Sequence, residues 1–338
     1  MDYRYLGRSA LKVSSLCLGA MMFGGETDEA TSARIIDKAF DQGVNFIDTA
    51  NAYHAGRSEE VVGRAIAARR DSWVVATKFG YPTSPGQQGP NEQGQSRKLI
   101  YQSVEASLKR LGTDYIDLLY FHRALLDAPL EEGVRAVGDL IREGKVRYFG
   151  ISNFRGWRIA EIVRLADQLG IDRPVASEPL YNMVDRTAEV EQLPAAGHYG
   201  IGVVPYSPLA RGVLTGKYAL DGKPPVDSRA GRGDKRIQQT EWRPESLAIA
   251  QKVAAHAAER GTTSIAFALA WVMKNRLVSS TIAGPRTEAH WDSYVEALKL
   301  QLTSDDEKFV DSLVPPGHAS TPGYTDPGYP VEGRLVLR

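Results

Sequence analysis

Cysteine is nearly missing from this chain. Its single thiol, Cys17, sits inside the apolar run SSLCLGAMMF, so no intramolecular disulfide can form and a cysteine-based metal cluster is excluded. A buried structural thiol is expected there. Charge of one sign is missing as well: 41 Lys and Arg balance 41 Asp and Glu. That balance offers neither a basic face for nucleic acid nor a charged surface for a membrane. No window approaches the ~18 apolar residues that a membrane span needs. The opening MDYRYLGRSALKVS lacks the apolar centre of a signal peptide. A cytoplasmic protein with neither nucleic acid nor membrane as partner is expected. Also missing is G-x-G-x-x-G between the first strand candidate and the first helix, because GAMMFGGETDEA does not match it. That counts against a doubly wound dinucleotide-binding sheet.

What the chain does have is rhythm. Its 338 residues, 43% apolar and 24% charged, suit a globular protein with a large core. Eight short apolar runs read as strands: 16–21, 45–50, 73–79, 115–122, 146–152, 174–180, 200–207 and 278–284. Helical patterns separate them. EATSARIIDKAFDQG, SRKLIYQSVEASLKRLG, EEGVRAVGDLIREG and GWRIAEIVRLADQLG each stop on glycine, and Ser58 is expected to cap SEEVVGRAIAAR. Strands apolar throughout, each followed by a helix, predict a parallel sheet covered by helices. Eight such units predict a closed (β/α)₈ barrel in one domain. Two stretches break the pattern. Residues 218–243 read as a long loop after the seventh strand, and 314–338 as a Pro/Gly-rich tail. Trp157, Trp242 and Trp291 are expected to be packing residues.

In such a barrel the chemistry sits where strands end. The stretch NFIDTANAYHAGRSEEVVG ends an apolar strand on Asp48 and follows it with Tyr53. The third strand ends at Lys78 and the fourth at His122. One such residue alone is ordinarily a turn or surface group. Four complementary types at the ends of three consecutive strands are another matter. A tyrosine with a pKa near ~10 is a poor acid at neutral pH. An ammonium beside it favours the phenolate, so Lys78 is expected to lower the pKa of Tyr53. Asp48 would keep Lys78 charged, and His122 would hydrogen-bond a substrate oxygen. The set describes a proton donor beside a carbonyl that receives a hydride. A Schiff-base role for Lys78 in an unrelated barrel is the competing reading.

DTANAYHAGRSEEVVG resembles the aldo-keto reductase signature D-T-A-x-x-Y-x-x-G-x-S-E-x-x-x-G, and ATKFG, GISNF, YSPLARGVLTGKY and IAGPRTEAH follow in that family's order. The resemblance covers essentially the whole chain. It implies a (β/α)₈ TIM barrel with an N-terminal hairpin and long loops at the C-terminal mouth, and NADPH as cofactor without a Rossmann fingerprint; the tail 314–338 is expected near that mouth, with a loose terminus as the alternative. By position it implies the catalytic set Asp48, Tyr53, Lys78 and His122, with Tyr53 as general acid and a small-molecule carbonyl or alcohol as substrate. It assigns Ser152, Asn153 and Glu178 to the nicotinamide carboxamide and Tyr206 to a stack on the nicotinamide ring. Ser207, Leu209, Arg211, Gly212 and Lys217 fall on the pyrophosphate side. Gly284, Arg286 and His290 fall at the adenosine end, with Arg286 on the 2′-phosphate.

The chain departs from the family pattern at three places. Glu178 stands where glutamine is usual, which places an extra charge near the nicotinamide. His290 and Tyr294 replace the usual adenine-side residues, and Ala283-Gly284 replaces Pro-Gly. Some members of the family resemble cofactor-sensing potassium-channel β subunits. That is the alternative function, against which the lack of an extension ahead of YRYLG counts.

Overall fold

The structure is a computed structural model that describes residues 1–84, 86, 89–220 and 222–331. Its chain forms two compact units. The first comprises Met1–Pro179, Glu191–Tyr206 and Asn275–Val295; the second comprises Leu180–Val190, Ser207–Lys274 and Glu296–Arg338.

In the first unit, β1 (Tyr3–Tyr5) and β2 (Lys12–Ser14) pair as an antiparallel hairpin. Eight further strands follow: β3 (Leu16–Gly19), β4 (Phe46–Asp48), β5 (Val74–Phe79), β6 (Ile116–Phe121), β7 (Val146–Ser152), β8 (Ala176–Glu178), β9 (Gly202–Val203) and β10 (Thr281–Ala283). All their pairings are parallel, and the order β10-β3-β4-β5-β6-β7-β8-β9 follows the chain apart from β10. The two ends of this order meet. Ser279 N–H donates to the Val203 carbonyl at 2.8 Å, and Ile282 N–H to that of Pro205 at 3.0 Å. The arrangement is that of a (β/α)₈ fold. Each of the eight expected runs contains a strand; 146–152 is a strand throughout, and the other seven are shorter, because pairing stops where the chain turns off toward a helix or loop. The run 200–207 keeps only Gly202–Val203.

The helices, in chain order, are α1 (Glu29–Asp41), α2 (Arg57–Ile66), α3 (Arg97–Leu111), α4 (Leu130–Arg142), α5 (Gly156–Leu169) and α6 (Gln192–Tyr199). They continue with α7 (Lys235–Gln239), α8 (Pro244–Glu259), α9 (Ser264–Lys274), α10 (Glu288–Val295) and α11 (Ser304–Leu313). Helices α1–α6 and α10 belong to the first unit, where each of α1–α5 packs on the next and α10 packs on α1. The glycine stops hold: α3 and α5 end on Gly112 and Gly170, both left-handed. Ser96 caps α3 by accepting from Leu99 N–H. Ser58 does not cap α2. Gly56, at φ 89°, occupies that place. The Ser58 hydroxyl, fully buried, bonds the Ala20 carbonyl and the Thr49 hydroxyl, each at 2.7 Å.

The hairpin covers the strands' N-terminal ends. Arg8 N–H bonds the Gly200 carbonyl, Ser14 N–H the Asn45 side chain, and the Arg4 guanidinium the Val278 carbonyl. Leu6 and Val13 thereby join Cys17, Phe46, Ala76, Leu118, Tyr120 and Ala176 in one buried cluster. Tyr120 explains a glycine. Its ring lies 2.5 Å from where a Cβ on Gly150 would stand, so only glycine lets the tyrosine fill the interior. Cys17 is a buried free thiol, as its surroundings suggest.

The second unit holds α7, α8, α9 and α11. Arg186 ties its parts together: the guanidinium bonds Glu189, Asp311 and the Val314 carbonyl. The stretch expected as a loop at 218–243 contains α7, capped by Asp234; Asp221 lies outside the described residues. The tail is anchored within its own unit as far as it is described. Asp326 pairs with Arg236, and Arg243 lies 3.7 Å over the Tyr324 ring. Residues 332–338 of the expected tail lie outside the described residues. Of the three tryptophans expected to pack, Trp291 is buried and Trp242 meets the Tyr218 ring edge-on, but Trp157 is 51% exposed at the start of α5.

Candidate active site

Asp48 ends β4, Lys78 lies one residue before the end of β5, and His122 directly follows β6. Parallel strands put all three side chains at the same, C-terminal, end. Tyr53 gets there by a turn. Residues 54, 55 and 56 all take left-handed backbone, at φ 50°, 57° and 89°. Two of these are not glycine, a conformation that costs about 1–3 kcal/mol each and concentrates at functional sites. The turn is held from outside. The His54 imidazole pairs with Glu26 and lies on Gly25, where any Cβ would meet the ring at 2.0 Å.

Lys78 is the hub. Its fully buried ammonium donates to Asp48 Oδ1, to the Thr49 carbonyl at 3.0 Å and to the Tyr53 hydroxyl at 3.4 Å. Burial works against that charge, but Asp48, the foremost opposing influence, outweighs it and holds the ammonium above the ordinary lysine value. Lys78 therefore stays protonated. Tyr53 overturns the expectation of a lowered pKa. Burial raises it, and Asp48 and Glu178 add to the rise, so the downward pull of Lys78 does not win. The phenol keeps its proton at neutral pH. His122 stands edge-on to it, ring centroids 5.9 Å apart, with Tyr81 edge-on to the imidazole at 4.8 Å. Burial, Lys78 and Arg123 all push the pKa of His122 well below the usual value, so the imidazole is neutral. Its Nδ1 is buried without a hydrogen-bond partner among the described residues.

A second polar group flanks this set. Asn153, left-handed at φ 60°, donates to the Ser152 hydroxyl at 2.9 Å and the His122 carbonyl at 3.3 Å. It accepts from the Tyr206 hydroxyl at 2.9 Å. Ser152 donates to the Glu178 carbonyl at 3.0 Å. Glu178, at the end of β8, lies with Oε1 3.6 Å from Lys78 Nζ. Ser152, Asn153, Glu178 and Tyr206 thus form one connected patch beside Lys78.

The residues that the resemblance assigns to the adenosine end lie after β10. Gly284 is exposed, and Arg286 N–H donates to His290 Nδ1 at 3.4 Å. The Arg286 carbonyl accepts from Thr27. Tyr294 is buried, its pKa pushed up to about 12 by burial against the pull of Arg286. Ser207, Leu209, Arg211, Gly212 and Lys217 belong to the second unit, in a stretch where Ser207, Ala210, Arg211 and Gly212 are left-handed. The Arg211 guanidinium pairs there with Glu241 at 2.9 Å.

Sequence reasoning missed Tyr81, whose only signal was an aromatic residue just past the Lys78 strand. It missed the Thr49 carbonyl, which as backbone has no sequence signal. Among the described residues, no group of three or more His, Cys, Asp or Glu side chains could hold a metal ion, and no helix is long and apolar enough to cross a membrane.

The chain is similar to known proteins over nearly its whole length. A family model described as the aldo/keto reductase family matches residues 15–315. The chain is 38% identical over 331 residues to an uncharacterized oxidoreductase, YrpG, of Bacillus subtilis (strain 168), covering 95% of this chain and 98% of the relative. It is 33% identical over 332 residues to an L-glyceraldehyde 3-phosphate reductase of Escherichia coli O157:H7, covering 94% and 93%. It is 40% identical over 306 residues to a probable voltage-gated potassium channel subunit beta of Arabidopsis thaliana, covering 89% and 92%. The chain belongs to the aldo/keto reductase family.

Proposed function

We propose that the protein is an NADP(H)-dependent oxidoreductase that interconverts an aldehyde or ketone, sugar-like carbonyls included, with the corresponding alcohol. The observation that carries this reading is the buried Lys78 ammonium, which joins Asp48 to the Tyr53 hydroxyl next to a neutral His122. In reduction Tyr53 gives its proton to the substrate oxygen; in oxidation it takes one back. Lys78 stabilises the phenolate left behind, and Asp48 keeps Lys78 charged and in place. His122, neutral, orients the substrate oxygen without competing for the proton.

The residues suit the cofactor. Glu178 Oε2 is a buried polar atom without a hydrogen-bond partner among the described residues, beside the Ser152–Asn153 pair, and offers a hydrogen bond to a carboxamide. The Tyr206 ring is steadied by its bond to Asn153, as a stacking face should be. The Arg286 guanidinium has no hydrogen-bond or salt-bridge partner among the described residues, and a guanidinium matches a phosphate dianion. When bound, NADPH supplies the hydride. Gly284 and His290 are assigned to the adenosine end. Ser207, Leu209, Arg211, Gly212 and Lys217 stay assigned to the pyrophosphate on the resemblance alone.

The test is a screen of aldehydes, ketones and alcohols against both NADP(H) and NAD(H). The relatives named L-glyceraldehyde 3-phosphate reductase place phosphorylated aldehydes in that screen. Turnover of any carbonyl with NADPH supports the reading; none across the panel opposes it. A second reading, a cofactor-sensing regulatory subunit, rests on the relatives named potassium channel subunit beta. Tight NADPH binding without turnover of a generic aldehyde such as 4-nitrobenzaldehyde would favour it.

A further inference from the structure

Two buried carboxyls compete for one ammonium. Lys78 has three N–H protons, and they go to Asp48, the Thr49 carbonyl and the Tyr53 hydroxyl. Glu178 Oε1 stands 3.6 Å from the same nitrogen, past hydrogen-bond reach, and Oε2 is buried with no partner. Among the described residues the side-chain oxygens of Glu178 accept no hydrogen bond within 3.5 Å, and Lys78 remains an ion-pair contact. An ionised carboxylate buried away from hydrogen-bond donors is strongly disfavoured. Asp48 already supplies the one negative charge that Lys78 balances.

We infer that Glu178 keeps its proton at neutral pH and acts as a positioning residue: its uncharged carboxyl leaves Asp48 the sole counter-ion of Lys78, so that the third N–H of the ammonium stays on Tyr53. The charges around it agree. Burial and then Asp48 push Glu178 well above the usual carboxyl range, and Lys78 opposes them. The other ionisable groups of the cluster are Tyr53 after β4, Tyr120 on β6 and Cys17 on β3, and none of them is a cation. The flanking strands bring no counter-charge at this level. Ser152 of β7 pairs with Glu178, and Val203 of β9 with its neighbour Ser177. A neutral carboxylic acid has one O–H and one C=O, the donor and acceptor that an amide has. Glu178 therefore does the work of glutamine here, and the extra charge expected from the sequence does not arise.

The functional consequence rests on the reductase reading, but the protonation does not, and infrared spectroscopy reads protonation without turnover. Wild-type protein at pH 7 should show the C=O stretch of an undissociated carboxyl, shifted in D₂O, that Glu178→Gln lacks. Melting temperature against pH gives a second measurement. A carboxyl whose folded-state pKa is raised stabilises fully below its unfolded value and loses that contribution as pH rises through the folded one. Wild type should therefore lose melting temperature more steeply than Glu178→Gln as pH rises from the ordinary carboxyl value, near ~4.3, toward the raised one. If catalysis uses this arrangement, the alkaline limb of the wild-type kcat profile shifts or vanishes in the variant. Identical carboxyl spectra, or parallel melting curves across pH, would overturn the inference. The spectra stand whether or not any carbonyl is turned over, so failure here and failure of the reductase reading are distinguishable.

Discussion

Lys78 Nζ reaches Asp48 and the Tyr53 hydroxyl from one point, so a single buried ammonium connects the end of β4 with the turn that follows it. Because all three residues share that one cation, removing it should be felt in stability and in turnover together.

Lys78→Met leaves Asp48 buried without its partner. Breaking a buried ion pair from one side costs about 3–5 kcal/mol. Urea unfolding should show that loss, and kcat should fall by roughly 10²–10⁴-fold, the usual contribution of a positioned proton donor. A stable, active Lys78→Met protein would contradict the central role of this lysine.

His122 should not titrate as an ordinary histidine. Its folded-state pKa is depressed by burial, Lys78 and Arg123. The stability this contributes is fully present above the unfolded value, near ~6.5, and is lost as pH falls from there toward the folded value. Wild type should therefore lose melting temperature between pH 7 and pH 5 more steeply than His122→Asn. Equal slopes would mean that the imidazole protonates freely.

Arg286→Ala should weaken NADPH far more than NADH. A hydrogen bond to a charged group contributes about 1.5–3 kcal/mol, or roughly 10- to 100-fold in Kd. Fluorescence titration with both cofactors checks it. Equal weakening would remove Arg286 from the 2′-phosphate.

Glu59 is fully buried on α2, accepting from Thr77 at 2.5 Å and from Arg110 at 2.6 Å. This is scaffold. Arg110→Ala should cost about 3–5 kcal/mol in chemical unfolding while leaving the Km for substrate and cofactor within about twofold. A large change in Km at retained stability would place Glu59 in the site.

Much of this was legible because parallel strands buried on both faces are apolar along their length. An Asp, Lys or His at the end of such a run stands out, and the turn residues after Asp48 stand out with it. Ser58 was misread for a local reason: serine before two acids looks like a cap, but Gly56 takes the left-handed backbone and the hydroxyl turns inward to Ala20. The direction of the Tyr53 pKa was misread because a lysine nearby in sequence logic says nothing of burial. The approach of Glu178 to Lys78 was not legible at all. They lie 100 positions apart on strands three places removed in the sheet order, and only its curvature brings them to 3.6 Å.

The most direct measurement is steady-state turnover of Tyr53→Phe, with cofactor binding followed by quenching of intrinsic fluorescence. The phenylalanine keeps the ring and removes only the proton that is to be transferred. NADPH should still bind while kcat falls to near background. Wild-type turnover in that variant would show that Tyr53 is not the general acid and would contradict the account.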